Sequence, residues 1–491
     1  MSRFSWLAEL AAADPEQPLL ISGSREWRAR EICGEMLDLN KRLAGCRVLG
    51  VLADNSPAWV LADLAAQEAG IVHLPLPGFF SAGQLGHALE QTAADVVLTD
   101  QPARIGALDL GFAIIGNWQG LTWMQRVVEP VALPAGTAKI SFTSGSTGAP
   151  KGVCLSGDGL IDTAQAVRER LSDLPLRRHL AALPLSLLLE NVAGVYAPLL
   201  RGMAVYLPPL HDLGWRGMAG FDPGVLDAAV RHANANSMIL VPELLKAWTA
   251  FLNTSGRRPA EALAFVAVGG ARVAPDLIEE ARKLGIPAYQ GYGLTEGGSV
   301  LTLNRPGDDA DGVGRPLRHA RITLWEGEVV VRTRAFLGYI GSARGTTGEF
   351  ATGDLGEFDA RGHLHLAGRY KNLLITSYGR NVSPEWPEAA LLADPRILQA
   401  VVVGDGQPAL SAILVPMPGV SPTAIDLAVK GANATLPDYA RIANWIPGEA
   451  FTAANGLATG NGRPVRDRVA EHYAAAITAL HTEKEFRNAV L

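Results

Sequence analysis

The chain has few cysteines, only Cys33, Cys46 and Cys154 among 491 residues. Three such scattered thiols cannot build a disulfide framework or a cysteine-based zinc site, and a reducing, cytoplasmic setting follows. Charge is also sparse. Charged residues make up 19% of the chain and the net charge is −6, so there is no basic footprint for nucleic acid. No uninterrupted apolar run reaches membrane-spanning length, and there is no repeat or low-complexity tract. The first twenty residues carry Glu9, Asp14 and Glu16 where a signal peptide would have an apolar core. What remains is an ordinary globular balance, 48% hydrophobic, over a length that needs two or more domains.

The first hundred residues alternate. Residues 26–45 read as an amphipathic helix carrying Trp27, Ile32, Met36, Leu37, Leu39 and Leu43. A buried-strand run follows at 47–52, then a capping sequence Asp54-Asn55-Ser56-Pro57 opens a helix over 57–69. Residues 71–76 and 95–99 read as further strands, with a helix over 81–93 between them. This pattern predicts layered α/β structure with at least partly parallel strands. His73, inside an apolar run, reads as a packed core histidine.

The stretch with the clearest chemistry is Thr143-Ser144-Gly145-Ser146-Thr147-Gly148-Ala149-Pro150-Lys151-Gly152, between two β-like runs. Its glycines permit close backbone approach, its N–H and hydroxyl groups can wrap phosphate oxygens, and Lys151 adds a point charge. The same composition also suits a plain polar hairpin. It is not a Walker A loop, because Pro150 precedes the lysine and Gly152 follows it. The ten residues resemble the phosphate-binding signature of the adenylate-forming superfamily, which includes acyl- and aryl-CoA synthetases.

Other segments carry the resemblance onward. Val268-Gly269-Gly270-Ala271-Arg272 is similar to the segment that borders the adenine. Gln290-Gly291-Tyr292-Gly293-Leu294-Thr295-Glu296 resembles the second signature: Tyr292 offers a stacking face, Thr295 a hydroxyl, and Glu296 a hard oxygen ligand for Mg²⁺. Within 348–354, Asp354 takes the place of the loop carboxylate that binds the ribose hydroxyls. Arg369 matches a ribose or α-phosphate contact, Lys371 the hinge, and Gly379 a residue keeping a pantetheine tunnel open. In the C-terminal motif at 455–466 the usual lysine is replaced by Arg463, which keeps the charge but changes its shape. A histidine that often follows the Leu-Pro-Leu run is absent at Ser186 and Leu187.

The resemblance implies a large N-terminal domain, 1–370, of layered α/β subdomains plus a β-rich one. A small mobile α+β lid follows at 371–491. The implied activity is AMP-forming: a carboxylic acid and MgATP give an acyl-adenylate, and CoA then takes the acyl group. Fatty acyl-CoA synthetases of medium or long chain length are the nearest pattern. An acyl carrier protein as acceptor, and a catalytically impaired nucleotide- or acyl-binding protein, stay open as alternatives, and a homodimer is allowed. The acid pocket is expected between 190–194, 268–272 and 292–301. Glu190 there reads equally as a helix N-terminal carboxylate or a substrate contact. Residues 307–312 read as a solvated turn, and His363 and His365 as one face of a strand without a third metal ligand.

Overall fold

The computed structural model describes residues 5–143, 151–216, 220–308, 312–342, 348–377, 381–407, 409–460 and 462–480. Two large sheets organise the N-terminal part. In the first, eight strands run in the order Phe336–Tyr339, Lys151–Ser156, Thr137–Thr143, Val72–Pro75, Val48–Leu52, Val96–Thr99, Leu121–Gln125 and Ala113–Trp118. Its centre is parallel, Val72–Pro75 pairing with both Val48–Leu52 and Thr137–Thr143. The second sheet has nine strands and a parallel centre of Arg178–Leu180, Ser237–Leu240, Phe265–Val268 and Ala288–Leu294. The N-terminal strand Pro18–Ser22 joins it through a parallel pairing with Ala204–Tyr206.

The helix Pro57–Glu68 shows why the layers close. Ser56 caps it, its Oγ accepting from Trp59 N at 3.3 Å, and Pro57 supplies a preset φ at the first position. The helix is apolar on nearly every face because it is covered all round: Trp59, Val60, Leu61, Leu64 and Ala65 are fully buried. Each such large side chain contributes about 1.5–3 kcal/mol over its exposed state.

The helix expected over 26–45 begins later. Arg25–Arg28 is a strand whose Trp27 pairs with Leu20, and the helix covers Ala29–Arg42. Glu31 fixes this start by accepting from Arg28 N at 2.8 Å, closing the first turn. Trp27 falls five residues before Ile32, out of step with the helical spacing that follows.

A four-stranded antiparallel sheet, Arg321–Trp325, Glu328–Arg332, Glu349–Phe358 and Leu364–Arg369, packs beside the large sheets. The chain then passes through a 3₁₀ turn at Tyr370–Asn372 into a smaller α+β unit. There the strands Ile397–Val403, Leu410–Pro416 and Ile442–Pro447 are covered by helices Glu385–Ala393 and Pro422–Ala434. No helix among the described residues is long and apolar enough to cross a membrane.

The solvated turn expected at 307–312 is corrected at Asp308 and Gly312, while residues 309–311 lie outside the described residues. Asp308 is buried against the guanidinium of Arg170, and a Cβ on Gly312 would lie 2.4 Å from Leu364 O. An acidic run reads as solvated only while its cationic partner, 138 residues earlier in the chain, is out of view.

Candidate active site

The loop strand Thr137–Thr143 and its antiparallel partner Lys151–Ser156 place Thr143 opposite Lys151, so the intervening loop leaves and re-enters at one point. Lys151 is exposed there. Ser144, Gly145, Ser146, Thr147 and Gly148 lie outside the described residues, as does Gly379. The strand Phe336–Tyr339 pairs with Lys151–Ser156 on its other side, and Ile340 N donates to Gly152 O at 3.0 Å. That pairing brings Tyr339 to Glu296: the phenol donates to Glu296 Oε1 at 2.9 Å. Burial, reinforced by Glu296, pushes the Tyr339 phenol up, so it stays a donor. Tyr339 was not singled out by the sequence.

A second group gathers around Asp354. This residue is not in a loop but within the strand Glu349–Phe358, directly opposite Arg369. Arg369 Nε donates to its Oδ1 at 2.7 Å and the Tyr292 phenol donates to its Oδ2 at 2.6 Å. Burial and the adjacent carboxylate raise the Tyr292 pKa. Tyr292 therefore reaches the carboxylate with its hydroxyl while its ring stays half-buried. The flanking glycines serve packing first. A Cβ on Gly293 would lie 1.7 Å from Ser299 O, so the neighbouring strand, rather than a ligand, demands the glycine. Gln290 and Gly291 continue the same strand, and Thr295 and Glu296 open the turn after it. Ala271 and Arg272 are exposed, Arg272 reaching toward Ala367 O at 3.5 Å.

The C-terminal unit closes onto these groups. A tight turn, with Thr459 N donating to Arg463 O at 2.7 Å, presents the Arg463 side chain. Arg463 Nη2 lies 3.9 Å from the position of a Cβ on Gly270. Its electrostatic neighbours are Glu243 and Arg369, while desolvation by the surrounding chain lowers its pKa. Arg466 secures the base of this turn through a bidentate pair with Glu388, at 2.6 and 2.8 Å. Lys246, on the helix Pro242–Ser255, donates to Asp394 O at 2.7 Å and Ile397 O at 3.1 Å, bridging that helix to the C-terminal unit. Neither Glu243 nor Lys246 carries a motif that would have marked it. Lys371 is exposed in the 3₁₀ turn between the two parts.

The wall expected at 190–194 is a π-helical turn, Glu190–Tyr196. Glu190 is fully buried and already engaged: Oε2 accepts from Leu183 N at 2.9 Å and Oε1 lies 2.9 Å from His179 Nε2. A Cβ on Gly194 would come within 2.0 Å of Glu190 Oε1. Glu190 stands in the first turn of this helical segment, as the helix-terminal reading expects, and there its carboxylate also ties the turn to the strand Arg178–Leu180. Behind the turn lies a buried polar cluster. Lys139 Nζ is 2.9 Å from Asp63 Oδ1, His73 Nδ1 is 2.7 Å from the same oxygen, and Tyr196 donates to Asp63 Oδ2 at 2.6 Å. Asn191 donates to Asp63 at 2.7 Å and accepts from Lys139. His73 is thus a core histidine, placed beside an ion pair. The cluster joins the π-helical turn to the strand Thr137–Thr143, which leads into the loop expected to bind phosphate. His363 and His365 both face Asp359, with His363 Nδ1 3.2 Å from its Oδ2.

The model of the AMP-binding enzyme family matches residues 34–340, and that of its C-terminal domain matches 371–485. The chain belongs to the AMP-binding enzyme family. Among curated proteins, this AMP-binding enzyme is 30% identical to a 2-succinylbenzoate–CoA ligase of Salmonella typhimurium over 72% of each chain. It is 27% identical to a long-chain-fatty-acid–CoA ligase of Mycobacterium bovis over 90% of this chain and 89% of that one. Among solved structures it resembles o-succinylbenzoate-CoA synthetase from Bacillus subtilis in complex with ATP and magnesium, with a TM-score of 0.75, 22% identity, and 94% and 98% of the two chains covered. The fold of this AMP-binding enzyme is therefore that of the adenylate-forming CoA ligases, with a large N-terminal part and a smaller C-terminal one.

Proposed function

We propose that this AMP-binding enzyme is an AMP-forming acid–thiol ligase. A carboxylate attacks the α-phosphate of ATP, giving acyl-adenylate and pyrophosphate; the thiol of CoA then displaces AMP and leaves an acyl-CoA. The observation that carries the reading is the placement of Arg463, delivered by the C-terminal unit to Gly270 and Arg369, beside the Asp354–Tyr292 cluster.

Roles follow from chemistry and position. Thr143, the loop at 144–148 and Lys151 would hold the β- and γ-phosphates. Gly270, Ala271, Arg272, Gln290 and Gly291 would border the adenine. Asp354 would accept from the ribose hydroxyls, with Arg369 and Tyr292 fixing its carboxylate. Arg463 would stabilise charge at the α-phosphate, where positioning and electrostatics do most of the catalytic work. The donor chemistry at Glu296 fits Mg²⁺, which is usually held by one or two carboxylates together with substrate phosphates. Tyr339 engages one carboxylate oxygen, and the other has no protein hydrogen bond among the described residues. When bound there, the ion would neutralise charge on the leaving pyrophosphate.

A boundary between 370 and 371, with Lys371 as hinge and Gly379 in the thiol passage, completes the scheme. Hinge positions absorb large backbone changes, and the exposed 3₁₀ turn at Tyr370–Asn372 suits that task. The acid pocket would lie between 190–194, 268–272 and 292–301, segments rich in Gly, Ala, Val and Leu, and such a wall favours a fatty or aryl acid over an amino acid. A cytoplasmic location agrees with the free thiols Cys33, Cys46 and Cys154. Product analysis tests the reading: equal amounts of AMP, pyrophosphate and acyl thioester support it, and formation of ADP contradicts it.

A further inference from the structure

In the ribbon formed by Arg321–Trp325 and Glu328–Arg332, Arg321 stands directly opposite Arg332. Like charges facing each other across a ladder are destabilising. Both side chains are exposed, and neither makes an ion pair among the described residues. Glu349 lies opposite Arg332 on its other side, yet it too makes none. The neighbouring cations differ. Arg318 pairs with Glu169 at 2.6 Å, and Arg334 with Asp162 at 3.0 Å and Asp158 at 3.7 Å. The row Arg321, Arg332 and Glu349 thus keeps a net positive charge, and its arginines, unlike the adjacent ones, hold no carboxylate in an ion pair among the described residues.

That face borders a cleft of about 610 Å³, lined by these four arginines and by one carboxylate, Asp158. His319 also lines it, and both its ring nitrogens are buried without a hydrogen-bond partner among the described residues. Burial and then Arg318 push its pKa down to about 4, so near neutral pH the ring adds no further charge to the cleft. Thr333 Oγ1, also on the lining, accepts from Ala335 N at 3.2 Å and keeps its own proton to donate. Lys151, Glu296, Asp354 and Arg463 do not line this cleft, which is separate from the site described above.

We propose that the cleft is a second ligand site, taking a phosphate group, free or carried by a small organic molecule, that bridges Arg321 and Arg332. Guanidinium forks match phosphate oxygens in pairs, and a dianion offsets both charges at once. The cleft is open to solvent and leaves room for an organic portion beyond the phosphate.

Thermal unfolding of the full chain, with and without inorganic phosphate at matched ionic strength and pH, tests this, since a ligand that binds the native state raises Tm saturably. The active site is kept saturated with a non-hydrolysable ATP analogue and Mg²⁺. The wild type should show a saturable rise that Lys151→Ala retains. The double variant Arg321→Gln/Arg332→Gln should lose the rise, and without phosphate it should be at least as stable as the wild type. A parallel titration with ribose 5-phosphate separates the sources. A response at tenfold lower concentration than phosphate identifies an organic phosphate, and an equal response identifies the free ion. The proposal is overturned by no saturable rise in the wild type, by a rise the double variant keeps, or by a rise that Lys151→Ala abolishes.

Discussion

Arg369 Nε donates to Asp354 Oδ1 at 2.7 Å across a strand ladder, and the pair fixes the direction in which the carboxylate presents its remaining acceptor capacity. If that carboxylate receives the ribose hydroxyls, Asp354→Ala should raise KM for ATP at least tenfold while leaving KM for the acid unchanged. Steady-state kinetics with each substrate varied in turn checks this. An equal rise in both constants would indicate a general loss of structure.

Arg463 should act on the first half-reaction. Removing one charge-stabilising group from an active site typically costs about 10²–10³-fold in rate. Arg463→Ala should therefore slow acid-dependent ATP–pyrophosphate exchange by that order with little change in Tm. Arg463→Lys decides whether the fork or only the charge is needed: exchange near wild type means charge suffices.

Lys246 reaches the C-terminal unit from the helix Pro242–Ser255 through carbonyl oxygens of Asp394 and Ile397. Lys246→Met should weaken that docked arrangement and lower the rate of adenylate formation. Single-turnover measurement of adenylate and then of thioester should show the first step slowed more than the second.

The buried cluster around Asp63 has no exposed member among Asp63, His73 and Lys139. Burial alone would raise the Asp63 pKa, but Lys139 and His73 outweigh it and hold the carboxyl well below the usual range. Asp63→Asn would leave Lys139 buried without its counter-charge, at a cost of about 3–5 kcal/mol in denaturant unfolding.

His319 gives a pH dependence of known sign. Its folded pKa, lowered to about 4, lies below the unfolded value of roughly 6.5. Between these values the unfolded chain binds more protons, so stability falls as pH drops through this window. In phosphate-free buffer the wild type should lose up to about 3 kcal/mol relative to His319→Gln between pH 6.5 and 4. Parallel pH-dependence for the two proteins would contradict this assignment.

The parts legible in the sequence were those whose cause is local. Ser56-Pro57 announces its helix because cap and first-turn proline are adjacent in the chain, and the two runs flanking residues 144–150 form one hairpin ladder. What escaped notice depends on partners distant in sequence. Tyr339 is marked only by Glu296, and Asp308 is buried only because Arg170 lies over it. Glu190 is legible as a helix-terminal acid, but its bonds to His179 and Leu183 N are not. Periodicity reports which face of an element is covered, and it is silent on what covers it. Trp27 shows the converse, a strand residue absorbed into a neighbouring helical pattern because its apolar character alone fitted.

The central claim is that a carboxylic acid is activated by MgATP before a thiol takes the acyl group. Pyrophosphate release, followed over a panel of fatty, aryl and amino acids with and without CoA, tests it most directly. The account predicts release that rises with one apolar class of acid and turns over repeatedly only when CoA is present. Measurable MgATP binding with no acid-dependent release from any member of the panel would contradict it.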